Sequence, residues 1–123
     1  MLLIVAAGTE LVTGLAVLAA PSLVTQLLFG GELSRIGLAM APVAGFALIA
    51  LALACWPPRI AAWSPVTALR ALLLYNVLTA GYLGYLGVGG ADRGVLLWPA
   101  VALHALLALL LGRALMSARR SGS

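Results

Sequence analysis

Residues 36–56 read IGLAMAPVAGFALIALALACW, a run without one charged side chain. An α-helix rises ~1.5 Å per residue, so this run crosses the ~30 Å hydrocarbon layer of a bilayer in a single pass. It is too long for a membrane β-strand, and it lacks the apolar–polar alternation of a barrel wall. Pro42 predicts a kink near its start, because the ring removes one backbone donor, and Pro57 with Pro58 stops it. A chain built around such a segment is expected to be an all-α membrane protein.

Three further runs flank it. Residues 2–20 are apolar up to Pro21, residues 66–88 follow Pro65 and end before Gly89 and Gly90, and residues 95–111 precede a tail holding Arg113, Arg119 and Arg120. Between the first two runs lies PSLVTQLLFGG, in which Ser22 can cap a helix, Leu23, Leu27 and Leu28 share a face, and Gly30 can end it. Residues 22–29 thus read as an interfacial helical turn or as a continuation of the first helix beyond Pro21. The expected architecture is a four-transmembrane-helix bundle forming one domain over residues 1–123.

Composition agrees. Of 123 residues, 64% are hydrophobic and only 8% are charged, against about 25% charged in an average soluble domain. A water-soluble fold of this size cannot hide so much apolar surface, whereas lipid can cover it. The net charge of +4 comes from arginines scattered at segment ends, against Glu10, Glu32 and Asp92. That distribution points to phosphate headgroups and argues against a nucleic-acid surface. One cysteine, Cys55, permits no internal disulfide and supplies no metal-ligand pair, so no metal site is expected. The apolar start has no basic segment and is interrupted by Glu10, so it reads as a span and not as a cleaved leader.

Charge and aromatic placement set an orientation. With an even number of spans, Arg59, Arg70, Arg113, Arg119 and Arg120 collect on the side of both termini, while Arg35 and Arg93 lie opposite, each close in sequence to an acid. The positive-inside rule then puts both termini in the cytoplasm, N-in/C-in, and a bacterial cytoplasmic (inner) membrane is the expected location. Trp56 and Trp63 fall at the inner boundary and Tyr82, Tyr85 and Trp98 near the outer one, where an aromatic ring meets acyl chains while its polar atom reaches water. Small residues mark candidate packing faces: Gly37, Ala41 and Gly45 in the second span, and Gly81, Gly84 and Gly87 in the third.

The spans also carry polar residues that ask for a reason. A charge at the bilayer centre costs about 2.5–3.5 kcal/mol on insertion scales. Counted from the inner ends, Glu10 and His104 are each ~13 Å deep, Asn76 ~16 Å and Arg70 ~7 Å. Thr13 follows Glu10 by three residues and Thr79 follows Asn76 by three, which places each on its neighbour's face. Tyr75 points about 100° away from Asn76. If the faces of spans one, three and four converge, Glu10, Asn76 and His104 form one buried cluster. Arg70 can reach Glu10 along its stem or turn back to the headgroups. Glu10 reads as a proton carrier or ligand counter-ion, or as a carboxyl holding helices together. His104 reads as a proton relay or haem ligand, or as a neutral imidazole bonded to Glu10 or Asn76. Asn76 reads first as interhelical glue.

No nucleotide loop, metalloprotease helix, paired cysteines or nucleophile elbow occurs, so no catalytic residue is expected. The glycine-rich GVGGADRG falls in an outer loop, where ordinary turn chemistry explains it.

TELVTGLAVLAAP, the following LLFGGEL and LLWPAVALH resemble segments of small four-helix bacterial integral membrane proteins. That resemblance covers nearly the whole chain and implies the fold but no activity. A second resemblance is to the small multidrug resistance transporters, which are also four short helices with one membrane-embedded glutamate in the first. It implies exchange of protons for cationic drugs in an antiparallel dimer, with Glu10 alone carried over. Here the third span lacks that family's membrane tryptophan and glycine-spaced motif and carries Arg70 and Asn76 instead, and the arginine bias opposes a dual topology.

Three functional expectations follow. Tiny loops and no complete catalytic set suggest a non-enzymatic accessory or assembly subunit that packs against another membrane protein or a second copy of itself. A proton-coupled transporter or ligand-binding protein would use Glu10, with His104 and Asn76 beside it. A haem- or quinone-binding subunit would use His104, although no cofactor is required by the sequence.

Overall fold

The computed structural model describes residues 1–56, 65–89 and 93–120. Arg59, Trp63, Asp92 and the proline pair lie outside the described residues, as does the side chain of Arg119. Five helices follow in order: α1 Leu2–Ala19, α2 Pro21–Phe29, α3 Arg35–Cys55, α4 Pro65–Gly89 and α5 Leu97–Arg120. No strand occurs among the described residues. All but α2 are long and apolar enough to cross a bilayer, which makes the chain a multi-pass membrane protein.

Local chemistry sets the boundaries. Ala20 leaves helical geometry at φ −146°, ψ 64°, and Pro21 opens α2, where its missing N–H costs nothing. The segment after Pro21 is therefore a separate helix and not a continuation of α1. Gly30 closes it in the left-handed region at φ 72°, a conformation that favours glycine. Ser34 caps α3 by accepting a hydrogen bond from the Gly37 amide at 3.1 Å. Pro42 lies inside α3, which continues through it.

The final helix differs from the sequence expectation. It starts at Leu97 and runs on to Arg120, well past residue 111. Hydropathy falls at Arg113, but helix propensity does not, and Leu115 is buried in the core one turn after Leu111. The end of an apolar run marks where lipid stops, not where a helix stops.

The spans pack as two antiparallel pairs, α1 along α3 and α4 along α5, with much thinner contact between the pairs. Gly14 and Gly45 let α1 and α3 touch. A Cβ on Gly14 would stand 2.9 Å from the Gly45 carbonyl oxygen, and one on Gly45 would stand 2.7 Å from Leu18 Cγ. Gly14 is outside the small-residue patterns read from the sequence. Of the residues in those patterns, Gly45 and Gly87 meet a neighbouring helix closely, Gly87 against Trp98 and Leu97. Gly84 has Val101 at 4.0 Å, Gly37 faces Leu33 of the preceding segment, Gly81 has nothing within 4 Å, and Ala41 is half-buried.

At the end where α1 and α4 begin, the pairs join through an apolar cluster of Ala6, Cys55, Leu69, Leu72, Leu107 and Leu111. At the other end α2 bridges them. The amides of Gly94 and Leu96 donate to the carbonyls of Leu28 and Leu27, at 3.1 and 2.8 Å. These carbonyls belong to the last turn of α2, beyond which no further helical amide follows to bond them. Any Cβ at Gly94 would collide with the Leu27 carbonyl.

Candidate functional site

Joined at one end and bridged at the other, the two pairs enclose a cleft of about 640 Å³. Its walls come from the second half of α1, from α2 and from the facing halves of α4 and α5, with Leu48 of α3. Leucines dominate, among them Leu23, Leu27, Leu83, Leu96 and Leu103, and among the described residues no lining side chain is charged. Val12 is 67% exposed and Leu23 54%, so the cleft opens to the surroundings of the bundle.

Its polar groups gather at one end: Thr13, Tyr75, Thr79 and His104. The Thr13 hydroxyl donates to the Thr9 carbonyl at 2.8 Å, within its own helix. His104 is buried and bonded to Asn76, with 2.8 Å between His104 Nδ1 and Asn76 Oδ1. Asn76 Nδ2 donates to the Leu72 carbonyl at 2.9 Å. Only the amide nitrogen can make that second bond, so Oδ1 is the atom facing the imidazole and His104 Nδ1 must be the donor. In a neutral imidazole the other nitrogen is then an acceptor. Nε2 is that acceptor, on a ring that lines the cleft.

Tyr75 stands beside this ring, with centroids 5.8 Å apart and planes at 77°, an edge-to-face pair. It is close enough to the side chains of Thr79 and Glu10 to interact with both. Glu10 itself is fully buried behind the lining, and neither carboxyl oxygen completes a hydrogen bond with any described residue. The approach of Tyr75 is thus near but not bonded. Tyr75 is the residue that sequence reasoning left out, because it points about 100° from Asn76. A helix face packed between two partners is wider than that, and the spacing of Tyr75 with Thr79, one turn on, is the signal for it.

The expected polar residues are bonded differently. Asn76 and His104 meet directly, Thr13 and Thr79 line the cleft with Tyr75 and His104, and Glu10 is buried without a hydrogen bond to the pair. Arg70 is exposed and does not reach the Glu10 oxygens. Among the anchors, Trp56, Tyr82, Tyr85 and Trp98 are 42%, 62%, 73% and 48% exposed, and Arg113 and Arg120 are exposed at the far end of α5.

Compared with known protein families, curated proteins and solved structures, the chain matches none.

Proposed function

We propose that the chain is a membrane-embedded binding protein for a small amphipathic molecule, taken from the bilayer into the cleft between the two helix pairs. The observation that carries this reading is the graded lining: an apolar slot open along one side, ending on the Tyr75 and Thr79 hydroxyls and the imidazole of His104. Apolar walls with a few convergent polar groups are the usual form of a ligand pocket. A hydrocarbon tail along Leu27, Leu83 and Leu96 brings a headgroup to those three side chains. Glu10, buried and outside the lining, is then a neighbour of the site rather than a direct contact.

On the arginine asymmetry we also infer that both termini are cytoplasmic, in a bacterial inner membrane. The cleft then lies in the outer half of the bilayer, and α2 lies at its outer surface.

The test is what leaves the membrane with the protein. Tagged chain purified in mild detergent should carry a stoichiometric amphiphile, identified by mass spectrometry of the organic extract. Leu83→Trp, which fills the slot, should lose it. An accessory subunit of a larger complex predicts the opposite preparation, with a stoichiometric protein partner and no small molecule. That result would replace the binding reading.

A further inference from the structure

We propose that the ligand of this cleft carries a neutral headgroup that donates a hydrogen bond, of the phenol or hydroquinone class on a hydrocarbon tail, with its hydroxyl bound to His104 Nε2. The inference rests on the cleft being a ligand site, and it names which chemistry that site accepts.

Two bonds define the acceptor. Asn76 Nδ2 to the Leu72 carbonyl fixes the amide, and Asn76 Oδ1 then holds the Nδ1 proton of His104. Nε2 therefore presents a lone pair and asks for a donor. A headgroup offering only carbonyl or ether oxygens would set lone pair against lone pair there.

Charge narrows the class. No described side chain lining the cleft is charged, so an ammonium, phosphate or carboxylate headgroup would shed its hydration with no opposite charge among those side chains to replace it. A hydroxyl loses far less. An aromatic hydroxyl fits better than an alkyl one for two reasons. It is the stronger donor, and the Tyr75 and His104 rings, at 77° to one another, form a corner against which a third ring can pack edge to face. The Tyr75 and Thr79 hydroxyls stand at the same end and can serve a second oxygen on that ring.

The chain contains one histidine, so ¹⁵N-histidine labelling reports His104 alone. The labelled chain in lipid nanodiscs is titrated with a decyl hydroquinone and, separately, with its dimethyl ether, while leucine methyl signals of the cleft follow the tail. The hydroquinone should shift the Nε2 resonance saturably and leave Nδ1 protonated. The ether should occupy the same leucines about tenfold more weakly, the loss of one hydrogen bond. Equal affinity for the two probes, or leucine shifts with an unmoved Nε2, would overturn the headgroup assignment and leave the cleft as a site for tails. Saturable binding of neither probe, with the spectrum of a folded chain, would overturn the binding reading along with it.

Discussion

His104 Nδ1 and Asn76 Oδ1 meet at 2.8 Å across the α4–α5 contact, a hydrogen bond that links two buried polar side chains of that pair. Because the Asn76 amide is also tied to the Leu72 carbonyl, the bond is fixed in direction as well as in length. Asn76→Leu removes both bonds and leaves a buried ring nitrogen without its partner. Interhelical hydrogen bonds in membranes are worth about 0.6–2 kcal/mol, so the variant should unfold earlier by that amount in a denaturant titration. Its ¹⁵N-histidine spectrum should show both tautomers. A single unchanged tautomer in the variant would mean that Asn76 does not set the proton on Nδ1.

The close crossing of α1 and α3 makes a sharper demand. At Gly45 an added Cβ meets Leu18 Cγ at 2.7 Å and the Gly14 carbonyl oxygen at 3.0 Å, whereas at Gly81 it meets nothing within 4 Å. Gly45→Leu should therefore separate α1 from α3 and cost about 1–3 kcal/mol or more. Gly81→Leu should be tolerated, with stability unchanged or slightly raised by the better helix former. Far-ultraviolet circular dichroism during unfolding in detergent measures both. Equal sensitivity at the two positions would contradict the crossing.

These glycines show how far the sequence could be read. The four long helices are legible because a bilayer imposes length and apolarity on each span independently of its neighbours. Which helices touch is not, since glycine and alanine are spread over every span and only a few of them, Gly14 with Gly45 and Gly87 against Trp98, sit at a close contact. The polar residues were legible as a set because burial of each needs a reason. Their grouping was not. Asn76 chooses His104 and not Glu10, a choice that no spacing within one helix encodes, whereas Tyr75 is signalled only by its one-turn spacing to Thr79.

The bridge between α2 and α5 depends on one small residue. Gly94 and Leu96 amides donate to the last turn of α2, and a side chain at residue 94 would occupy the position of the Leu27 carbonyl. Gly94→Ala should break both bonds, each worth about 0.5–1.5 kcal/mol, and free the helix that walls the cleft. Hydrogen exchange of the Leu96 amide should accelerate by about tenfold or more, with the amides of α4 unaffected. Protection of Leu96 equal to wild type would show that α2 is held by something else.

Glu10 lies on the same bundle at a similar depth to Asn76, yet the two should respond oppositely to the same substitution. Asn76 is buried with its hydrogen bonds made, and Glu10 is buried with neither oxygen bonded to a described residue. A side chain that holds helices together loses stability when replaced by an apolar one. A buried polar group with no partner carries only its desolvation cost, about 1–3 kcal/mol, so removing it returns that amount. Glu10→Leu, close in volume, should therefore leave the bundle as stable as wild type or more so. The same variant should weaken binding in the cleft if Glu10 serves the site through Tyr75. Stability and ligand retention, measured on one preparation, separate the roles: a loss of stability as large as that of Asn76→Leu would make Glu10 a structural residue, and unchanged retention would remove it from the site.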